Sequence, residues 1–317
     1  ESEFLPGAIS QLRLNNKLFA MPICRDCRAF FWNKTDFQKS GLDPNTPPKT
    51  IEELEQFALK LNRRSPSGKI EQLGFQPPLD NALLFSLLGG GIYDYQTNRL
   101  TVNSKQNIES LKWLVSLVDK LGGRDAVAAF QAGFGNMESA QNPLATGAIA
   151  MQIEGEYVPF YLERYSPNTE YGVGQLPHPA TKPQLKNMAW QDGDVMMLPV
   201  GSKNPDLAWE FMVWMQRPEQ QKSYAIANRN LPTLTSLMNE PSLTQGSTGK
   251  TNLGYIFKTI SSNRQNTKFF PTLPTTRLLK DALNNAVELA ELHRKSPEQA
   301  LNDAQFRVQR ELNKYTR

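Results

Sequence analysis

Short apolar runs alternate with amphipathic stretches of helical period along the 317-residue chain, and this alternation limits the possible folds more than any other feature. In residues 50–62, Thr50 and Glu53 have the spacing of a capping box, and apolar residues recur on one helical face. The runs AIAMQI (148–153) and DVMMLPV (194–200) predict buried strands. Because a chain of this length exceeds the usual size of one hydrophobic core, we expect an α/β fold with two lobes.

The same signals predict three further helices. One covers residues 104–121 and ends at Gly122, and the last begins at Ser296, with Gln299 completing a second capping box. Between them, a helix begins at Asn204 and Pro205, and its inward side is predicted to carry Leu207, Ala208, Phe211 and Met215. Apolar stripes on these helices also predict core positions for Trp113, Trp209 and Trp214.

Composition excludes several classes of protein. Hydrophobic residues make up 39% of the chain and charged residues 21%, which is typical of a folded globular protein. No apolar run is long enough to span a membrane. The net charge of +4 is spread among acids without a basic block, so we expect no nucleic-acid partner. The start, ESEFLPG, lacks the features of a signal peptide, so any export signal is expected to be removed or missing.

Two cysteines, Cys24 and Cys27, form the only Cys-x-x-Cys motif. In an oxidising compartment they could close a local disulfide, and otherwise they are two structural thiols. A zinc site lacks partners, because the histidines His178 and His293 are isolated. A redox centre needs the first cysteine at the start of a helix, whereas this pair lies between two apolar runs.

No motif predicts catalysis or a cofactor. The glycine-rich stretch GGGIYDY (89–95) lacks the spacing that binds phosphates, and neither a zinc-protease motif nor a nucleophile elbow occurs. We therefore predict no catalytic residue, no metal and no cofactor. A pair of carboxyl groups of the glycosidase type stays open, because acids are common in any such chain.

Five segments in a fixed order carry a resemblance to a known family. They are KLFAMP (17–22), FFWNKTDF (30–37), PPKTIEELEQFALKL (47–61), LATGAIAMQIEGEY (144–157) and SKNPDLAWEFMVWM (202–215). Together they resemble family 1 of the extracellular solute-binding proteins, the substrate-capturing subunits of ABC importers, and in particular its sugar-binding, maltose-binding-protein-like branch.

The resemblance implies a two-lobed, type II periplasmic-binding-protein-like α/β fold. Residues 1–27 and 193–230 would form the first lobe, and residues 28–192 and 231–317 the second. Family members have earlier strands and helices before the segment that KLFAMP matches. We therefore expect the first lobe to be incomplete in this chain.

The resemblance also suggests which residues bind ligand. Asp26 matches a carboxylate in a crossover between the lobes, although it could simply be a turn residue. Tyr157 takes the place of an aromatic residue that follows a glycine turn, although it could instead be a buried aromatic. Glu156 beside it is a further candidate. Trp190 and Asp192, in WQDGD, match a loop near the ligand, where Trp190 is expected to be exposed unless it packs under an ordinary polar turn.

Three more residues match loops that often line the ligand site in this family. They are Asp80, Asn81 and Arg229. With Cys24 and Cys27 as a possible disulfide, they complete the set of predicted site residues.

The function implied is non-enzymatic capture of a carbohydrate, expected to be an oligosaccharide, by hinge closure over an interlobe cleft. Partners would be the membrane permease subunits of an ABC importer. The protein would be exported, either periplasmic or anchored at the cell surface as a lipoprotein. Alternatives are a polyamine or glycerol-phosphate ligand, a non-transport receptor or scaffold on the same fold, and a glycoside-processing enzyme.

Overall fold

The computed structural model describes residues 2–5, 8–9, 11–14, 17–244 and 267–315. The chain divides into two compact units. The first unit comprises Glu1–Ala29, Gly155–Phe160 and Ala189–Thr272, and the second comprises Phe30–Glu154, Tyr161–Met188 and Leu273–Arg317. Residues 28–29, 155–160, 189–192 and 231–272, which the resemblance placed in the second lobe, lie in the first unit.

Helices are the main regular elements of the second unit. In chain order they are Lys34–Lys39, Ile51–Leu61, Asn81–Leu87, Lys105–Leu121, Arg124–Gln131, Pro143–Thr146, Thr276–Glu291 and Pro297–Leu312, with a 3-10 turn at Pro183–Leu185. The last two helices pack on each other and on Lys105–Leu121. Leucine, alanine and valine side chains fill the space between them, as expected for amphipathic helices around one core.

The predicted ends of these helices are confirmed. Thr50 and Ser296 each cap a helix through a complete capping box. Gly122 ends the helix Lys105–Leu121 with a φ of 145°, a conformation that favours glycine. Apolar residues of the last helix are buried along one face: Leu301, Ala304, Val308 and Leu312.

One long strand, Asp26–Asn33, is central to the sheet, and the boundary between the units falls within it. In the second unit its residues 30–33 pair antiparallel with Tyr171–Gly174. A Cβ on Gly172 would lie 2.0 Å from the Trp32 ring, so glycine lets that ring lie against the neighbouring strand. The remaining strands of this unit are Arg63–Arg64, Ile70–Gln72, Tyr93–Asp94, Arg99–Leu100 and most of Met151–Gly155.

The first unit consists of short strands and a few helices. Its strands are Arg13–Leu14, Lys17–Leu18, Met21–Pro22, Ala189–Asp192, Val195–Met196 and Thr267–Lys268. Its helices are Pro205–Met215, Pro218–Asn228 and Pro241–Thr244, with a 3-10 turn at Thr235–Leu237, and the helix Val158–Tyr165 begins in it. Ala189–Asp192 pairs antiparallel with the start of the long strand and parallel with Thr267–Lys268.

The helix Pro205–Met215 departs from its prediction. It buries only Met212 and Met215, while Leu207 and Phe211, predicted to face inward, are exposed. Trp209 and Trp214, predicted to lie in the core, are also exposed, Trp209 by 52%. The prediction was wrong because this helix carries apolar side chains on all of its faces. Their spacing therefore does not indicate which face is buried.

The run DVMMLPV was also predicted incorrectly. It forms only the two-residue strand Val195–Met196, paired with Met21–Pro22, and Met197 and Val200 are exposed.

Along Pro205–Met215, apolar side chains line a groove of about 650 Å³. Over the described residues, no helix combines the length and apolar character needed to cross a bilayer.

We expect residues 1–317 to self-associate through the helix Pro205–Met215, because exposed apolar patches drive association. Replacing both Trp209 and Phe211 with Gln should shift sedimentation-velocity profiles toward monomer, with little change in melting temperature. The matched control is Phe306→Gln, which removes a single aromatic that is 69% exposed in the second unit. Equal association of the wild type and the double variant would contradict this prediction.

Candidate functional site

Glu156 is the centre of a polar cluster in the first unit. It directly follows the strand Met151–Gly155, and its side chain is 0% exposed. Its Oε2 accepts the backbone N–H of Cys27 at 2.7 Å, and its own N–H donates to the Cys27 carbonyl at 3.2 Å. Its Oε1 accepts the Asn230 side-chain amide at 3.0 Å. Both carboxyl oxygens are therefore satisfied, as a buried polar group requires.

Asp26 lies beside this carboxyl group. The Asn230 amide donates to Asp26 Oδ1 at 3.1 Å while also donating to Glu156, so the two carboxyl groups lie close together. Asn230 reaches both because Leu231 pairs with Arg25 through two backbone hydrogen bonds of 2.9 and 3.0 Å. The bridging amide therefore holds two carboxyl groups from distant parts of the chain together.

Burial controls the protonation of the pair. It raises the pKa of Glu156 to about 8, with the neighbouring Asp26 charge as the next cause. Burial also raises the pKa of Asp26, and the Asp194 and Asp192 carboxylates add to this effect. Removing a carboxylate from water disfavours its charged form. Glu156 is therefore protonated at neutral pH.

Tyr157 and Arg28 form a second part of the site. Arg28 Nη1 lies 3.4 Å from the Tyr157 hydroxyl, and the guanidinium lies 6.0 Å from the ring centroid. A Cβ on Gly155 would lie 2.2 Å from the Tyr157 ring and 2.7 Å from Arg28 Nη1. Glycine is therefore required at this position for the ring to occupy its place. Tyr157 and Arg28 are both partly exposed.

The tryptophan predicted to be exposed lies in the core. Trp190 is 1% exposed in the strand Ala189–Asp192, where it pairs in register with Lys268. The expectation was wrong because Trp190 belongs to an interior strand of the sheet. Asp192, two residues along the same strand, is partly exposed and lies in register with Asp26.

The two cysteines are buried free thiols, so the disulfide considered from the sequence is not formed. Burial raises the pKa of both thiols, and nearby carboxylates raise it further. The Cys24 thiol lies 3.7 Å from Asp26 Oδ1 and 3.6 Å from Asp194 Oδ2. A thiol kept protonated in this way suits a structural position rather than a redox centre.

Two of the predicted residues, Asp80 and Asn81, belong to the second unit. Asp80 caps the helix Asn81–Leu87 by accepting the backbone N–H groups of Ala82 and Leu83. Asn81 donates to Asn284 at 3.0 Å. Asp80 therefore has a structural role as a helix cap. Arg229 lies in the first unit, where it ends the helix Pro218–Asn228 with a φ of 60°.

The sequence analysis missed Asn230 and Gln221. Gln221 is buried, and its amide donates to the Ile23 carbonyl while its oxygen accepts from the backbone N–H and hydroxyl of Thr233. It thereby fixes the 230–233 segment beside the 23–26 segment. Asn230 directly follows Arg229, which is one of the predicted site residues. This neighbourhood was the signal in the sequence that could have identified Asn230. Within the described part of the chain, no group of three or more His, Cys, Asp or Glu residues is arranged to hold a metal.

Comparison with known proteins gives a consistent family. Residues 1–222 match the bacterial extracellular solute-binding protein family. The solved structure of CpMnBP1 with mannotriose bound is 31% identical, with a TM-score of 0.83, covering 97% of this chain and 77% of that one. The corresponding structure with mannobiose bound is 30% identical, with a TM-score of 0.81, covering 97% of this chain and 75% of that one.

Two more distant relatives extend this picture. An ABC transporter solute-binding protein from Thermotoga lettingae, solved with α-D-tagatose, is 20% identical with a TM-score of 0.79, covering 98% of this chain and 76% of that one. It shares the fold, which is the type II periplasmic-binding-protein fold predicted from the sequence. The sn-glycerol-3-phosphate-binding periplasmic protein of Escherichia coli is 27% identical over 196 residues, covering 57% of this chain and 41% of its own length.

The protonated Glu156 predicts a specific dependence of stability on pH. Because folding raises its pKa from 4.5 to about 8, its contribution is full below pH 4.5 and is lost as pH rises toward 8. Relative to Glu156→Gln, which cannot titrate, the melting temperature of the wild type should fall between pH 5 and about pH 8 and then level off. Parallel melting curves for the two proteins across this range would contradict a buried, protonated Glu156.

Proposed function

The chain belongs to the bacterial extracellular solute-binding proteins, and from that membership we propose that it captures a carbohydrate as the substrate-binding subunit of an ABC importer. The observation that carries the proposal is the Tyr157 ring, which contacts Arg28 next to Gly155, while the Arg28 charge also acts on the Asp26 carboxyl group. An aromatic face and charged hydrogen-bonding groups are the two elements that a sugar site needs.

Each group has a distinct task in this proposal. The ring of Tyr157 covers the apolar C–H face of a sugar, and its hydroxyl bonds to Arg28. Asp26 accepts hydrogen bonds from sugar hydroxyls, and Arg28 donates to sugar oxygens. Asp192, in register with Asp26 on the adjacent strand, supplies a second acceptor nearby. Glu156 is fully buried, and it holds Asp26 through the Asn230 amide that both side chains accept.

The size of the solute is proposed from a ligand-bound relative. CpMnBP1, at 30–31% identity, was solved with mannobiose and with mannotriose. We therefore propose a short oligosaccharide, with manno-oligosaccharides as the first solutes to test. The protein would be exported, and it would deliver the bound solute to a membrane permease. Hinge closure over the solute stays a prediction from the family resemblance.

The carboxylates near Asp26 favour some of the alternative solutes over others. Asp26, Asp192 and Asp194 lie together, so a phosphate dianion such as glycerol phosphate would meet repulsion that Arg28 only partly offsets. The same carboxyl groups would attract a polyamine, which is therefore the second candidate. A scaffold without a solute is a weaker hypothesis, because it gives no use to the partly exposed Tyr157.

A glycosidase is also a weaker hypothesis. Its two carboxyl groups have to flank the scissile bond about 5 Å or more apart. Glu156 instead has no contact with solvent and shares one amide donor with Asp26, so it cannot reach a scissile bond. The family and its neighbours are solute-binding proteins.

A thermal-shift screen tests the class of solute. Mannobiose, mannotriose, maltose, spermidine and glycerol 3-phosphate should be compared at matched concentrations. A bound solute at a hundred times its Kd stabilises the folded state by about 2.7 kcal/mol, so the correct class should raise the melting temperature clearly. We expect the manno-oligosaccharides to do so. A shift with spermidine alone would replace the carbohydrate proposal with the polyamine one.

Substitution of Tyr157 tests the proposed stacking face. Tyr157→Ala should weaken mannotriose binding about tenfold or more in calorimetry, because it removes both stacking and buried apolar area. Tyr157→Phe keeps the ring and should lose much less. Tyr315→Ala, which removes an exposed tyrosine of the second unit, is the matched control. Equal affinity in Tyr157→Ala and the wild type would remove Tyr157 from the site.

A further inference from the structure

The Asn230 amide has an unusual pair of acceptors. Its nitrogen lies 3.1 Å from a carboxyl oxygen of Asp26 and 3.0 Å from one of Glu156. The other oxygen of Glu156 already accepts the Cys27 N–H at 2.7 Å. Two carboxyl groups are thus held at one amide, in a place where Glu156 has no contact with solvent.

Two carboxyl groups held at one amide nitrogen disfavour each other's charge. One proton on the pair removes one of the two charges and lets one carboxyl group donate a hydrogen bond to the other. The burial of Glu156 and the neighbouring Asp26 charge both favour this protonated state.

We propose that Glu156 and Asn230 position Asp26 for the solute, and that they do so only while a single proton is shared between the two carboxyl groups. This inference rests on the proposed function, because it takes Asp26 as a solute-binding group. Glu156 acts through Asp26 and is a positioning residue. Solute affinity should therefore depend on a proton that the solute never touches.

Other charged groups around the pair set the direction of the effect. Arg25 and Arg28 lie on the same segment as Asp26, and Asp192 and Asp194 face it from the neighbouring strand and the turn after it. Cys24 and Cys27 are held protonated, and Tyr224 faces the pair from the helix Pro218–Asn228. Once the shared proton is lost, four carboxylates, namely Asp26, Glu156, Asp192 and Asp194, face the two arginines, and the net repulsion displaces Asp26.

The pH at which this happens follows from the burial of Glu156, which raises its pKa to about 8. Below that pH the proton is present and Asp26 is held. Above that pH both carboxyl groups are charged and repel each other. Asp26 then has to return to its position before the solute can bind. We therefore expect mannotriose to bind at least about tenfold more weakly at pH 9.5 than at pH 6.5.

The experiment is calorimetric titration of mannotriose at pH 6.5 and pH 9.5 into four proteins: wild type, Glu156→Gln, Glu156→Ala and Asp36→Asn. Glutamine cannot titrate, and it keeps one acceptor oxygen and the size of the side chain, so Glu156→Gln should lose the pH dependence and bind better than Glu156→Ala at both pH values. Asp36→Asn removes another buried carboxyl, in the second unit, and should keep the wild-type pH dependence.

Each outcome decides a separate question. Affinity that is independent of pH in the wild type, or an equal dependence in Glu156→Gln, overturns the inference and leaves the proposed function intact. Failure of mannotriose and of every other carbohydrate in the screen to bind overturns the proposed function and, with it, the inference. Carboxyl carbon NMR of the protein gives an independent readout: ionised Asp26 and Glu156 at pH 6.5 would overturn the shared proton whether or not a sugar binds.

Discussion

A fully buried carboxyl group has to satisfy both of its oxygens, and Glu156 does so with partners that are distant in the sequence. Cys27 is 129 positions before it and Asn230 is 74 positions after it. The first unit consists of separate segments with short strands, so few ladder hydrogen bonds hold it together. The contacts of Glu156 therefore fix the register in which these segments meet, because any other register would leave its oxygens unpaired at a substantial cost in free energy.

The neighbouring features depend on that arrangement. Once Cys27 and Glu156 are paired, Gly155 and Arg28 come next to the Tyr157 ring. Gln221 and the pairing of Arg25 with Leu231 bring Asn230 to the same place from the opposite direction. The partly exposed Tyr157 and the buried carboxyl pair are thus parts of one structure, and the proposed sugar contacts lie at its surface.

Much of the second unit could be predicted from the sequence, because its helices begin and end at local signals. The capping boxes at Thr50 and Ser296 and the glycine at position 122 act within a few residues of themselves. Local signals failed for the helix Pro205–Met215, since a helix that is apolar all round does not show which side is covered. They failed for Trp190 as well, because polar neighbours in the sequence suggested a loop where an interior strand lies.

The sequence by itself determined the α/β class, the family, the absence of recognisable catalytic motifs and the segment in which Tyr157 follows a glycine turn. These follow from periodicity, caps and motifs, which are properties of contiguous residues. Only the tertiary structure decided that Trp190 is buried, that the two cysteines are free thiols and that Glu156 shares Asn230 with Asp26. The protonation of a carboxyl group depends on the charges and the solvent around it, and those come from residues that only folding brings together.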